Sequence, residues 1–154
     1  MKKLLKLTIE HVVPQSFIKN TPKDIPLKRD LHNLLWIPMW MNSHRSNYRY
    51  TDMENKGTVI YTARKCTKQK LFEPPDIYKG AIARCGLYFA FTYPKYEDIV
   101  FQRVITEETA SKWHFSFPPT EAEKRQNYEK ARIQGNINCF ILQPKKPLYF
   151  WNKA

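Results

Sequence analysis

The chain has 154 residues, 42% of them hydrophobic and 14% aromatic, which is enough to bury a core in one domain over residues 1–154 and excludes an intrinsically disordered chain. Lys and Arg outnumber Asp and Glu by 26 to 14, and the resulting net charge of +12 favours a polyanionic partner, nucleic acid first and an anionic membrane surface second. The three cysteines, Cys66, Cys85 and Cys139, are far apart and form no CxxC motif, which argues against a zinc knuckle or a disulfide framework and predicts buried thiols in a reducing compartment.

The N-terminal residues combine Lys and Leu without an uninterrupted apolar run. Lys6 interrupts the Leu-rich stretch and Glu10 follows closely, so the core of about 7–15 apolar residues that a signal peptide needs is missing. No stretch approaches the roughly 20 apolar residues of a membrane span. We therefore predict an intracellular protein with no membrane segment.

The first 50 residues predict the order strand, loop, strand, helix. Leu5–Val13 is short, apolar and β-branched, and Pro14 closes it. Residues 19–30 form a basic loop punctuated by prolines. Leu31–Ile37 is expected to return as a second strand, and residues 38–46 lack β alternation and begin with a proline suited to the first turn of a short helix.

The remainder of the chain predicts more helix than strand. Gly57–Thr62 is a strand candidate, and Leu148–Trp151 is expected to pack onto the body of the protein. Gly135 is placed to end a helix as a C′ glycine. Helices are predicted from Asp76 to about Phe91, from Thr106 to Trp113, and from a capping box at Thr120 to about Ile133. The fold class predicted from this pattern is α+β.

Arg84 stands out because it lies on a predicted apolar helix face. That face is formed by Ile77, Ala81, Cys85 and Tyr88. A buried guanidinium must be paired, so it needs either a carboxylate or a phosphate. A structural salt bridge to Glu73 or another acid and a contact with a ligand both remain open, the salt bridge being favoured.

Three polar segments within 40 residues carry groups suited to phosphodiester hydrolysis. This reaction needs an activated water, a cation on the phosphate and stabilisation of the departing 3′ oxygen. His accepts protons near neutral pH, and carboxylate or carboxamide oxygens suit Mg²⁺. The segments are Glu10-His11, Asp30–Asn33 and Asn42–Asn47. His11 considered alone is more often a surface or structural histidine.

Adjacent strand positions set a geometric condition on Glu10 and His11. Successive side chains of a regular strand point to opposite faces. Both residues can serve one site only if the strand bends or bulges there, and bulges are common beside active sites.

Motifs in order over nearly the whole chain resemble the endonuclease I family of non-specific nucleases, within the ββα-metal (His-Me finger) superfamily. The segments that carry the resemblance are 10–16 (EHVVPQS), 30–34 (DLHNL), Asn42 with 45–47 (RSN), 72–75 (FEPP), 79–84 (KGAIAR), 123–127 (EKRQN) and 134–138 (QGNIN). The resemblance implies a ββα-metal core over about residues 5–50 with additional helices around it. Departures include Ala81 in place of a common Asp and Ile137 in place of a common Arg, and they leave Glu10, His11 and Asn42 intact.

The resemblance implies a one-metal nuclease. His11 matches the general base that activates water, and Glu10 and Asn42 match the two protein ligands of a single divalent cation, most often Mg²⁺, with Mn²⁺ or Ca²⁺ as alternatives. The implied activity is cleavage of DNA, with RNA as a further substrate, leaving a 5′-phosphate and showing little sequence preference. Arg84 is implied as a catalytic arginine, against the salt-bridge alternative above.

The remaining site residues are expected to support the centre or contact nucleic acid. His32 and Asn33 are placed on the second strand, with hydrogen bonds to His11 or its surroundings, or with a structural role alone. The residues predicted to contact nucleic acid are Lys28, Arg29, Arg45 and Asn47. For Arg45 and Asn47, capping of the short helix is an equal alternative.

A catalytically silent nucleic-acid-binding protein that keeps the nuclease fold is the alternative function. Intact Glu10, His11 and Asn42 argue against it. A structural role at an acidic surface would depend on net charge alone. The chain is short beside secreted members of the family, which favours an intracellular setting, with a phage or a virus of eukaryotes as the source; the oligomeric state is left open.

Overall fold

The structure, a computed structural model, describes residues 6–146 and opens with a two-stranded hairpin. β1 (Leu7–His11) pairs antiparallel with β2 (Leu34–Pro38), in unbroken register from Leu7 opposite Pro38 to His11 opposite Leu34. The predicted second strand begins three residues late, because Leu31–Asn33 form a single 3₁₀ turn. The start of the predicted first strand, Leu5, lies outside the described residues.

A short helix follows the hairpin directly. α1 (Met39–Arg45) starts at the residue after β2 and packs against both strands. Its predicted range of 38–46 is confirmed within one residue at each end. The order strand, strand, helix over residues 7–45 is therefore as predicted.

A second sheet contains four short strands that sequence patterns largely missed. They are β3 (Arg49–Tyr50), β4 (Thr58–Ile60), β5 (Ala63–Cys66) and β6 (Leu71–Glu73), in the order β3-β6-β5-β4. Only β4 was predicted, at residues 57–62. The others have two to four residues, too few to establish an alternating pattern. β3 and β6 run parallel, and the other pairs are antiparallel.

A long central helix organises the remaining elements. α2 (Asp76–Thr92) matches the predicted helix, and it is buried at Lys79, Gly80 and every position from Ile82 to Ala90. The prediction of one apolar face was wrong, since Ile77 is 81% exposed. A helix that is buried on all sides packs in the interior. Accordingly, α2 contacts β2 and later helices of the chain.

Four helices and a π-helical segment complete the described chain. They are α3 (Glu97–Ile99), the π segment Val100–Val104, α4 (Glu107–Ser116), α5 (Glu121–Gln134) and α6 (Cys139–Leu142). The Thr106 and Thr120 side chains accept the Thr109 and Glu123 amides, and Gly135 ends α5 at φ 96°. The cap predicted at Thr120 and the C′ glycine predicted at Gly135 are confirmed, because each satisfies a free helix-end group. Asp76 is the first residue of α2 and its side chain makes no capping bond.

The core joins both sheets to α2, so the chain is an α+β protein. Fully buried side chains come from β2, α1, β3, β6 and α4, among them Ile37, Met41, Tyr50, Phe72 and Trp113. All three cysteines are free thiols. None of the helices found between residues 6 and 146 has the length and apolar character needed to cross a membrane. The aromatic stretch Leu148–Trp151 lies outside the described residues.

Candidate active site

Glu10 is a buried carboxylate near the end of β1. Only 3% of it is exposed, and its two oxygens have different partners. Oε1 lies 3.3 Å from Arg45 Nη1, and Oε2 accepts a 2.7 Å hydrogen bond from the Tyr50 hydroxyl. Burial raises the pKa of Glu10, and Arg45 and Tyr50 oppose that rise by stabilising the ionised form. The site therefore holds a carboxylate whose charge is only partly compensated.

Arg45 connects α1 to the end of β1. It is fully buried, and its guanidinium donates to the carbonyls of Tyr48, His11 and Val12 at 2.8, 3.2 and 2.9 Å. The guanidinium carbon also lies 4.2 Å from the centre of the Tyr50 ring. Its predicted contact with nucleic acid does not fit this position, because the guanidinium is directed inward. Arg45 instead fixes the backbone carbonyls of His11 and Val12.

His11 is half-buried and held by one side chain. A ring nitrogen lies 2.8 Å from Nε2 of Gln15, four residues further along the chain. Burial lowers the pKa of His11, and a hydrogen bond to the backbone of Lys28 opposes that shift. A lowered pKa keeps the imidazole neutral near pH 7, which is the state that accepts a proton.

The bend or bulge expected at Glu10 and His11 is absent, so this prediction was wrong. Pairing of β1 with β2 is regular up to His11 opposite Leu34, and the chain bends directly after His11, at Val12 and Val13. Arg45 Nη1 reaches the Glu10 carboxylate and the backbone carbonyl of His11, so this contact joins the two residues through the His11 backbone and not through its ring.

Asn42 lies on α1, three residues before Arg45. Residues at this spacing are neighbours on one helix face, so the contact between Arg45 and Glu10 directs this face of α1 toward β1. Asn42 is half-buried, and its side-chain amide makes no hydrogen bond to any of residues 6–146. Its oxygen is therefore available to a ligand.

The donor set fits a hard divalent cation. Each Glu10 oxygen has one hydrogen-bond partner within residues 6–146, which leaves it lone pairs for a further ligand. The 3.3 Å approach of Arg45 is longer than the usual 2.7–2.9 Å or so of a charge-assisted bond. Among the described residues, no group of three or more His, Cys, Asp or Glu could hold a metal. One carboxylate and one amide match Mg²⁺, which keeps several of its waters.

Asn33 supports the segment that follows His11. It was expected on the second strand, but it lies in the 3₁₀ turn before β2. Its side chain accepts the Val13 amide at 2.8 Å and donates to the Val13 carbonyl at 3.0 Å. Its carbonyl accepts the Val12 amide at 3.1 Å. Asn33 thus replaces strand pairing where the chain bends.

His32 faces a different part of the molecule. One ring nitrogen, Nε2, lies 2.7 Å from the Asn136 carbonyl, and the buried Nδ1 has no hydrogen-bond partner. Burial lowers the pKa of His32. His32 packs against Tyr88 with ring centres 4.9 Å apart. It makes none of its hydrogen bonds with His11.

Sequence patterns alone missed two residues of the site, Gln15 and Tyr50, and one buried acid outside it, Asp30. Gln15, which contacts His11, lies inside the EHVVPQS motif and could have been found from its position four residues after the histidine. Tyr50 carries no comparable pattern. Asp30, although inside a motif, was not recognised as the acceptor of bonds from the Tyr88 and Tyr93 hydroxyls.

Arg84 has the geometry of the salt-bridge alternative. It is 1% exposed and binds Glu123 through two bonds of 2.7 and 2.8 Å. It also donates to the His114 carbonyl at 3.2 Å. Its bonds within the described chain include none to Glu10, His11 or Asn42, so the structure gives no support to its catalytic assignment.

The other residues predicted to contact nucleic acid are more exposed to solvent than Arg45. Asn47 follows α1 and is exposed, as is Arg29. Lys28 is half-buried and its ammonium binds the Asn20 side chain, while its backbone lies against His11.

The sequence matches the family model of Endonuclease I over residues 6–145. That range is nearly the whole described chain. The chain belongs to the endonuclease I family. The family match covers β1, β2 and α1 as well as α2, α4 and α5, so it includes every residue of the site described above.

Named relatives of this endonuclease I family chain include three bacterial nucleases. Endonuclease-1 of Buchnera aphidicola subsp. Baizongia pistaciae (strain Bp) is 31% identical over 124 residues, which is 75% of this chain and 46% of the relative. A periplasmic deoxyribonuclease of Aeromonas hydrophila is 28% identical over 118 residues (75% and 48%). An extracellular deoxyribonuclease of the same species is 27% identical over 158 residues (91% and 67%).

The chain spans about half the length of the first two of these relatives. The Aeromonas nucleases are named periplasmic and extracellular. The intracellular setting expected from this sequence therefore stays a prediction, as does its source.

Proposed function

We propose that this protein is a metal-dependent endonuclease that hydrolyses phosphodiester bonds of DNA, with RNA as a second substrate, and with little sequence preference. The observation that carries the proposal is a buried, partly compensated carboxylate at Glu10, followed directly in the chain by a half-buried imidazole at His11 that Gln15 contacts. Membership of the endonuclease I family supports it. The net charge of +12 supports a nucleic-acid substrate.

In the proposed reaction His11 acts as the general base. Its neutral ring accepts a proton from the water that attacks phosphorus, and the bond to the 3′ oxygen breaks. Glu10 and Asn42 would hold one divalent cation, most often Mg²⁺, with Mn²⁺ or Ca²⁺ as alternatives, and this His-Me finger arrangement would neutralise charge on the phosphate when the cation is bound. The products are a 3′-hydroxyl and a 5′-phosphate.

The protein's own contacts prepare both residues for these tasks. Arg45 and Tyr50 favour the ionised form of Glu10 and fix the orientation of its carboxylate. Gln15 and the Lys28 backbone orient the His11 ring. Asn33 keeps the bend after His11 in place.

The central experiment is plasmid cleavage by the wild type, His11→Ala and Glu10→Gln, with Mg²⁺ or with EDTA. We expect nicking only with metal, and a loss of about 10²–10⁴ in rate for His11→Ala. His44→Ala, which alters another half-buried histidine on α1, is the matched control and should cut like the wild type. Metal-independent cutting, or equal activity of His11→Ala, would contradict the proposal.

Binding is measured separately to distinguish the active enzyme from a silent nucleic-acid-binding protein. Glu10→Ala should abolish cleavage while retaining much of the affinity for DNA, because affinity comes from Lys and Arg over the surface. Salt-sensitive binding by a wild type that never cuts would favour the silent alternative.

The product termini test the direction of bond breakage. A 5′-phosphate allows direct ligation of the fragments, whereas a 5′-hydroxyl requires prior phosphorylation. Fragments that ligate only after kinase treatment would overturn the proposed leaving group.

A further inference from the structure

A cleft formed by the second sheet and the π segment is lined by cations and amides. Its volume is about 240 Å³, and we call it the basic cleft. The residues that line it are Phe17, Asn47, Arg49, Gln69, Lys70, Leu71, Gln102 and Arg103. Three of these side chains are cationic, three are carboxamides and none is a carboxylate. Such a lining offers many hydrogen-bond donors to an anion.

The cations of the basic cleft have no acidic partners in the part of the chain that the structure describes. Arg49, Lys70 and Arg103 take part in none of the ion pairs formed within residues 6–146. The Nε of Arg49 is buried and finds no hydrogen-bond partner among these residues. Arg45 and Arg84, by contrast, are paired with carboxylates. A buried donor without a partner is uncommon and indicates that an acceptor is supplied from outside.

The lining residues are held in place by the fold. The guanidinium of Arg103 lies 3.9 Å from the centre of the Phe17 ring, and the Arg49 amide donates to the Lys70 carbonyl at 3.0 Å. Gln102 and Arg103 belong to the π segment Val100–Val104. π-helical turns are rare in proteins, and those that occur are often found at functional sites.

Two residues of the basic cleft are close in sequence to residues that contact Glu10 or His11. Phe17 shares a 3₁₀ turn with Gln15, which contacts His11. Arg49 directly precedes Tyr50, which contacts Glu10, and because successive strand residues face opposite sides, Arg49 points away from the face of β3 that Tyr50 occupies. The cleft and the candidate active site therefore share backbone segments but no lining residue.

We propose that the basic cleft binds a backbone phosphate of the substrate strand. This inference rests on the proposed function for its substrate. Guanidinium groups match phosphate oxygens in geometry and charge. Contacts of this kind position the strand without reading its bases, which suits an enzyme with little sequence preference.

The test measures binding of a labelled DNA duplex, in EDTA so that no cutting occurs, over a series of salt concentrations. Lys70→Gln and Arg103→Gln are the main variants, because both side chains are exposed and their loss leaves the core intact. Each lost phosphate contact should weaken binding and reduce the slope of log K against log salt by about 0.9. Arg49→Gln should have the same effect if it folds.

Arg125→Gln is the matched control, since Arg125 is an exposed arginine on α5 outside the basic cleft. The proposal is overturned if the Lys70→Gln/Arg103→Gln double variant keeps the wild-type affinity and slope, or if the control loses as much as Arg103→Gln. A second measurement is the rise in melting temperature that inorganic phosphate gives the wild type. The proposal is also overturned if the double variant loses only this rise while its DNA binding is unchanged, because the cleft would then bind free anions and not DNA.

Cleavage kinetics separate this inference from the proposed function. The double variant should raise KM while kcat stays within about twofold, as expected when binding shared by ground and transition states is lost. If the wild type binds but does not cut, the nuclease proposal fails while the salt slopes still decide the cleft. If the wild type cuts and the double variant has an unchanged KM, the cleft proposal alone fails.

Discussion

Tyr50 and Arg45 show how single contacts make a buried carboxylate usable. An isolated buried charge costs several kcal/mol, so an uncompensated Glu10 would bind a proton instead of a cation. One neutral donor and one cation offset that cost without neutralising the carboxylate completely. Such partial compensation suits a metal ligand, because a bound cation supplies the rest.

Tyr50→Phe tests this balance through the pH profile. The hydroxyl favours the ionised form of Glu10, so its removal should raise the pKa of Glu10 further. As the pH is lowered, kcat/KM should therefore begin to fall at a higher pH than in the wild type. The free energy of unfolding should decrease by about 1 kcal/mol. The measurement is kcat/KM against pH.

Tyr61→Phe is the control for Tyr50→Phe, since Tyr61 is 59% exposed. If the loss of kcat/KM at low pH has its midpoint at the same pH in Tyr50→Phe and in the wild type, the hydrogen bond from Tyr50 does not set the charge of Glu10.

Asn33→Asp tests support of the bend after His11. Asp has nearly the same shape but cannot donate to the Val13 carbonyl, and its charge would face that oxygen. We expect a loss of about 1–3 kcal/mol in unfolding free energy. The kcat should fall while affinity for DNA in EDTA is retained, because the general base is displaced and not the surface charge. A variant that is destabilised yet keeps full kcat per folded molecule would limit Asn33 to a structural role.

At the scale of elements, the hairpin and α1 were predictable and the second sheet was not. β1, β2 and α1 carry strong local signals, namely a β-branched run, a proline stop and a proline helix start. β3, β5 and β6 have two to four residues each, and their pairing depends on neighbours distant in sequence. Tyr50 and Arg49, which matter for the site and the basic cleft, lie on the shortest of these strands.

α2 also packs differently from the prediction, and the cause is a close contact with another helix and not the helix propensity of its residues. Gly80 allows the end of α4 to approach closely, since a Cβ there would overlap the Phe117 carbonyl and lie 2.5 Å from Arg84 Nη2. No local pattern distinguishes this glycine from others in the chain.

Gly80→Ala should therefore destabilise the protein even though Ala favours helices by about 0.5–1 kcal/mol. Overpacking of this kind costs about 1–3 kcal/mol or more. Gly86→Ala is the comparison, because its Cβ would lie 3.0 Å from a single methyl group of Ile105. Denaturant unfolding of both variants should rank Gly80→Ala as the less stable; an increase in stability at Gly80 would mean that α2 and α4 are not this close.

At the scale of the whole molecule, buried histidines couple stability to pH. His114 is 2% exposed, its Nε2 donates to the Pro144 carbonyl at 2.8 Å, and Nδ1 faces Arg84 Nη1 at 3.4 Å. Burial, together with the charge of Arg84, lowers the pKa of His114 to about 4. The unfolded chain then binds more protons than the folded one between pH 6.5 and 4, so stability present above pH 6.5 is lost as pH falls through this window.

His114→Gln should reduce this loss, which amounts to about 3 kcal/mol at most for one histidine. The measurement is the free energy of unfolding between pH 7 and pH 4, compared with His44→Gln on the half-exposed face of α1. Equal pH slopes for the two variants would mean that another group, such as His32, dominates the dependence.

The sequence by itself determined the family, the hairpin with its following helix, and Glu10, His11 and Asn42 as the candidate centre. Those features are local: they depend on short motifs and on periodicity that neighbouring residues carry. Only the tertiary structure decided that Arg45 is internal, that Arg84 pairs with Glu123, and that Tyr50 faces Glu10. The bonds of Arg45 and Tyr50 to Glu10 and of Arg84 to Glu123 each join residues 35 or more positions apart. Burial and pairing between distant residues follow from packing of whole elements, which no local pattern encodes.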